Sequence, residues 1–171
     1  MQAVYRACKV RSKSIKAVRM MRSTLKECEI KAKANPNQCL GKRTLAALQV
    51  LQNGKMISHL LKACQTLELS TQLSRPCCES FAHAGAASIL FTLLRSCNRS
   101  TPHQELLRIA LIVLLNVGRH EHLAPILAAS PDSTDALIDL MQMFRDKKSI
   151  FILASELLAR LISASEDTKV Q

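Results

Sequence analysis

Seven cysteines and five histidines give this 171-residue chain its widest choice of side-chain chemistry. Cys77 and Cys78 are adjacent, and neighbouring side chains on a helix point about 100° apart. Neither Cys-x-x-Cys nor His-x3-His spacing complements them, so a zinc or redox centre lacks its ligand pattern. His120-Glu121-His122 is not the His-Glu-x-x-His of a zinc protease, and it falls in the turn expected after Gly118. The chain also lacks a nucleophile elbow, a phosphate-cradling Gly loop and a spaced acidic pair. Core thiols, no enzyme, no metal and no cofactor are therefore the expectation. An odd set of cysteines on apolar helix faces suggests reduced thiols, as in cytosol or nucleus, and leaves the sequon at Asn98 without meaning.

Binding chemistry is better represented. Gln2, Arg6 and Arg11 fall at the second, sixth and eleventh positions of an IQ-type segment, with Met1 where Ile is usual and Ala7 where Gly is customary. An IQ helix inserts an apolar face into a calmodulin-type lobe while Gln and Arg engage its polar and acidic rim. These three residues are the candidate calmodulin-binding set. Further along, Ile15, Val18, Met21, Leu25 and Cys28 form a narrow stripe amid Lys16, Arg19, Arg22, Lys26, Lys31 and Lys33. That stretch reads as a solvated helix packing one face on the body, as a second light-chain site, or as a contact for an acidic surface.

The elements that carry these groups separate by charge. Residues 1–62 hold fourteen Lys and Arg against two Glu, a net of +12, whereas residues 63–171 have a net of −1. Such a split marks an interaction arm beside a globular body. The arm attracts polyanions, tubulin and RNA alike, through counterion release. No pattern for specific nucleic-acid readout accompanies it, and Tyr5 is its one aromatic residue. No apolar run reaches the roughly 18 residues of a membrane span; residues 106–117 come nearest. The expected boundaries are an arm over 1–35, a helical domain over 40–165 and a disordered tail over 166–171.

The body's apolar period is helical almost everywhere. Stripes begin at Ile57 and Ile89, and helices are predicted around 76–83, 101–118, 132–144 and 149–163. Thr101 is read as an N-cap, Pro102 as the first helical residue and Gln104 as completing a capping box. Gly118 is read as a left-handed closing residue, and Gly85 as the sharp turn between two helices. Leu60, Ala63 and Leu67 recur 47 positions on as Leu107, Ala110 and Leu114, and the last two recur 44 further on as Ala154 and Leu158. A period of roughly 40–47 residues in a helical chain indicates armadillo or HEAT units. The fold class expected is all-α, a basic helical arm followed by a short armadillo/HEAT-like helical solenoid. Apolar residues of 144–162, among them Ile150, Phe151, Leu157 and Leu161, are expected to be left needing cover at the end of the stack. Asn116 occupies the position at which peptide-binding armadillo proteins hydrogen-bond an extended ligand. The Trp often found four residues earlier is Ile112, and the next repeat has Glu156 and Arg160 instead. Asn116 is thus either a ligand contact or a bridge to a neighbouring helix.

Specific strings then carry a resemblance. Leu73-Ser74-Arg75-Pro76-Cys77-Cys78-Glu79, Ala84-Gly85-Ala86, Leu94-Arg95-Ser96-Cys97-Asn98-Arg99-Ser100 and Val113-Leu114-Leu115-Asn116-Val117 resemble the C-terminal region of the abnormal spindle family, most clearly over residues 43–120. Members are large, with calponin-homology domains, a long IQ array and a short armadillo-like module. They focus microtubule minus ends and orient the spindle. The resemblance implies that this chain corresponds to the end of the array plus part of that module. It also implies a calmodulin or calmodulin-like light chain, spindle-pole proteins and microtubules as partners. The implied location is cytoplasm, cytoskeleton and spindle pole, with nucleus in interphase. A generic armadillo/HEAT scaffold without a mitotic role, or a polyanion binder, is the alternative.

Overall fold

A computed structural model describes the backbone of residues 2–35, 39–54 and 56–167, and nearly all side chains from Ser14 to Ser165. Among the described residues every regular element is a helix. They divide into two compact units, Met1–Cys39 and Leu40–Gln171.

The first unit is one long helix, α1 (Gln2–Ala34). Its sequence is rich in straight-chain Lys, Arg and Met, which lose little rotamer freedom in a helix. Lys31 and Lys33 lie in its last turn, where cations offset the negative end of the helix dipole.

The second unit contains α2 (Leu40–Asn53), α3 (Ile57–Leu73), α4 (Arg75–His83), α5 (Ala86–Ser96), α6 (Thr101–Gly118), α7 (Ala124–Ala128), α8 (Ser133–Met143) and α9 (Lys148–Asp167). Its packing advances three elements at a time. Helix α3 packs on α6 and α6 on α9, while α2 packs on α5 and α5 on α8. The short α4 and α7 bridge each pair to the next. Three successive groups result: α2–α3, α4–α6 and α7–α9.

Local chemistry sets the corners. Pro76, Pro102 and Pro125 each stand in the first turn of a helix, where the missing N–H has no partner to lose. Gly85 turns left-handed (φ 66°) to redirect the chain from α4 into α5. Forty-seven positions later Asp132 adopts the same conformation (φ 56°) before α8. Asp tolerates that region because a short polar side chain can bond locally.

The repeated alanines lie at the centre of the stack. Ala63, Ala110 and Ala154 are all buried, as are Leu67 and Leu114, whereas Leu158 in the final group is half-buried. Helix α6 is buried nearly all round, from Leu106 to Gly118.

Several expectations at helix ends are corrected. Ser100, not Thr101, is the N-cap of α6, and it makes no side-chain cap. The Gln104 amide instead donates back to the Arg99 carbonyl. Gly118 remains helical and buried, and α6 ends at Arg119 in a right-handed conformation. Helix α9 continues through Glu166 and Asp167, the first two residues of the stretch expected as a tail; residues 168–171 lie outside the described ones. Ile150, Leu157 and Leu161, expected to need cover at the end of the stack, are already buried, because α9 packs on α6, α7 and α8.

Candidate interaction surfaces

Helix α1 offers a basic rod. Gln2, Arg6 and Arg11 stand in its first third, and their side chains lie outside the described residues. Ile15, Val18, Met21, Leu25 and Cys28 are all exposed, between Lys and Arg on either side. An apolar stripe flanked by cations is the pattern an acidic, groove-bearing partner reads.

Asn116 is placed differently from a groove residue. It is 4% exposed, and its side-chain amide donates to the Glu68 carbonyl at 3.4 Å and the Thr71 hydroxyl at 3.3 Å, both on α3. Thr71 in turn donates to the Leu67 carbonyl at 2.7 Å, and the Cys78 thiol meets the Thr71 carbonyl at 3.2 Å. The amide thus links α6 to the C-terminal end of α3, next to α4.

The cysteines divide by burial. Cys28 and Cys39 are exposed, whereas Cys64, Cys77, Cys78 and Cys97 are buried. Burial pushes the Cys64 thiol up to about 12, with Cys97 nearby adding to the effect. Burial likewise raises Cys78 and Cys97 to about 11. Thiols held this way stay protonated and are poor nucleophiles at neutral pH. Among the described residues, no group of three His, Cys, Asp or Glu side chains could hold a metal ion.

The last turn of α5 and the loop from α5 to α6 hold groups whose role the sequence did not disclose. Arg95 pairs with Asp132 at 2.9 Å, and Arg99 pairs with Asp146 while lying 6.0 Å over the Phe144 ring. The Asn98 side chain accepts from the Ser100 N–H at 3.0 Å, and the Asn98 N–H donates to His103 Nδ1 at 3.0 Å. This loop therefore fastens the second helix group to the third. Along the sequence it stood out only as a string carrying the resemblance, because pairs 37 and 47 residues apart are invisible along the chain.

On another surface, Arg75, Arg119, His120, His122 and Arg160 line an open cleft of about 1020 Å³. Glu79 is shared there by Arg75 at 3.1 Å and His122 at 3.5 Å, and Glu156 neutralises Arg160 at 2.9 Å. No single helix among the described residues is long and apolar enough to cross a membrane.

Neither a family model nor a solved structure matches the chain. Curated relatives do. Over 150 residues, 85% of this chain, it is 39% identical to the abnormal spindle-like microcephaly-associated protein homolog of Gorilla gorilla gorilla. The Bos taurus homolog of the same name is 40% identical over 132 residues, 72% of the chain. That of Canis lupus familiaris is 45% identical over 108 residues, 63% of the chain. The chain belongs to the abnormal spindle family. It spans only 3–4% of the length of these relatives. In this member of the abnormal spindle family, the strings that carry the resemblance have structural roles. Cys78 packs under α3, and residues 95–100 form the fastening loop.

Proposed function

We propose that this chain is a non-catalytic interaction module of a spindle-organising protein. Its basic arm engages a calmodulin-type light chain, and its armadillo-like stack of helix groups engages a protein partner. The observation that carries the reading is a basic helix, α1, exposed at its described side chains from Ser14 and holding Gln2, Arg6 and Arg11 in its first third, in a chain of the abnormal spindle family. The name of the relatives supports work at the mitotic spindle, and with it the cytoskeleton and spindle pole as the place of action. The three-element advance of the packing supports the armadillo-like description, since each group buries its face on the next.

The test is calorimetry of the full chain with calcium-loaded and calcium-free calmodulin. Replacing Gln2, Arg6 and Arg11 together with Ala is expected to weaken binding by about tenfold or more, because charge-assisted hydrogen bonds to the acidic rim are lost. Unchanged affinity would remove the IQ assignment. The net +12 of residues 1–62 favours a second reading, a polyanion binder directed at microtubules or RNA. A salt titration separates the two. Purely phosphate-type binding falls steeply with salt, whereas insertion of an apolar face leaves a salt-resistant component.

A further inference from the structure

The two ends of the helix stack differ, and the repeat register shows how. On α3, His59, Lys62, Ala63 and Thr66 line one wall of a groove, and on α2, Arg43, Ala46, Ala47 and Val50 line the other. Forty-seven positions on, the α3 set becomes Leu106, Ile109, Ala110 and Val113 of α6, all buried. In α9 it becomes Ile150, Leu153, Ala154 and Leu157, buried except for half-buried Leu153. The α2 set becomes Leu90, Leu93, Leu94 and Cys97, and then Leu137, Leu140, Met141 and Phe144, again buried or half-buried. These positions are buried or half-buried in the last group, whereas Arg43, Ala46, Val50, His59 and Lys62 are exposed in the first. Apart from Met141, which also borders the forward end of the last group, they face the preceding group.

In the first group this backward face is an open groove of about 490 Å³. Its floor is small and apolar: Ala47 and Ala63 are buried, and Val50 is 39% exposed. Its rim has one sign. Arg43 and Lys62 are exposed, His59 stands beside them, no carboxylate lines the groove, and none of the three forms an ion pair among the described residues. A terminal group that merely needed solubility could carry mixed charge over a filled surface. Here an open groove with a small apolar floor remains, bordered by cations without an ion-pair partner among the described residues.

We propose that the α2–α3 groove is a docking site for an amphipathic helix with acidic flanks, supplied by a partner protein. The partner's small apolar stripe lies against Ala46, Ala47, Val50 and Ala63, and its carboxylates meet Arg43 and Lys62. A helix is the occupant of choice because helices cover the same register positions in the two later groups. Carboxylates are required because charge complementarity at a rim fixes register and rejects partners of like sign. The proposal rests on the reading of the body as a protein-binding module and names the partner's chemistry.

The probe is a designed amphipathic peptide of about 18 residues, with a Leu/Ala stripe and Glu flanks, labelled and titrated into the full chain. A second peptide replaces each Glu with Lys. The acidic peptide is expected to bind, and Arg43→Glu with Lys62→Glu to weaken it by about tenfold. The same double variant is expected to gain binding of the Lys peptide. Circular dichroism confirms that the variant is folded, since both residues are exposed. Acidic-peptide binding that ignores the double reversal belongs to the basic arm and overturns the proposal. So does equal binding of both peptides, or no binding of either. Calmodulin affinity measured on the same variant distinguishes this failure from failure of the arm reading, because Arg43 and Lys62 lie outside the IQ segment.

Discussion

Cys64, Cys78 and Cys97 illustrate how burial turns a reactive side chain into a packing unit. Each thiol is fully or almost fully removed from solvent, and burial raises its ionisation to about 11–12. A thiol whose folded value lies above its unfolded value contributes stability that is complete below the unfolded value, near 9. That contribution is lost as pH rises from there through the folded value. Stability is therefore expected to hold below pH 9 and to decline above it. By about pH 10 the loss approaches 1.4 kcal/mol for each such thiol. Melting curves recorded across this range for wild type and Cys64→Ala check it. The variant is expected to show the shallower alkaline decline, and parallel declines would contradict the assignment. Asn116 teaches a related lesson. The sequence marks it as polar near a helix end, but its two donors to α3 are contacts across 45 and 48 residues.

At the scale of elements, the close contact between α6 and its neighbours depends on small side chains. Ala110 is fully buried at the centre of the stack, in register with Ala63 and Ala154. A larger residue there must push α6 away or adopt a strained rotamer. Ala110→Leu is expected to destabilise the body by about 1–3 kcal/mol, read as a lower midpoint in urea or heat. An unchanged midpoint would mean that the repeat register is wrong. Helix periods, the Gly85 corner and the starts at Pro76 and Pro102 were legible locally, because each depends on residues a turn apart. Helix α7 was not, since five residues give too short a period to stand out. The start of α6 was misplaced by one residue because Gln104 found the Arg99 carbonyl instead of completing a capping box.

For the whole molecule, the forward end of the stack is the counterpart of the basic groove. Ile138, Phe151 and Leu158 of the last group correspond to Phe91, Leu107 and Leu114, which are buried. At the end of the stack Ile138 is 43% and Phe151 37% exposed, and Leu158 is half-buried. With Met141 they line a shallow apolar depression of about 330 Å³. Such a patch binds hydrophobic dyes and promotes association at high concentration. Ile138→Glu with Phe151→Glu is expected to abolish dye fluorescence and leave a monomer by light scattering, with little change in melting. Wild-type protein that scatters as a clean monomer without dye binding would contradict this. Head-to-tail stacking of copies would set this patch and Arg145 against the Arg43 and Lys62 rim with no carboxylate lining either surface.

The sequence by itself determined what depends on neighbours along the chain. The charge split, the helical period, the Gly85 corner and the spacing of Ala63, Ala110 and Ala154 are all local or periodic properties, and they point to an all-α chain; the strings between Leu73 and Val117 carry the resemblance to the abnormal spindle family. Only the tertiary structure decided which faces are covered. Burial of Ile150, Leu157 and Leu161, the bridge from Asn116 to α3, the Arg95–Asp132 and Arg99–Asp146 ties and the open groove over α2 and α3 all depend on which helix group lies next. That depends on packing among residues some 45 positions apart, and linear spacing carries no record of which of two equivalent faces finds a neighbour.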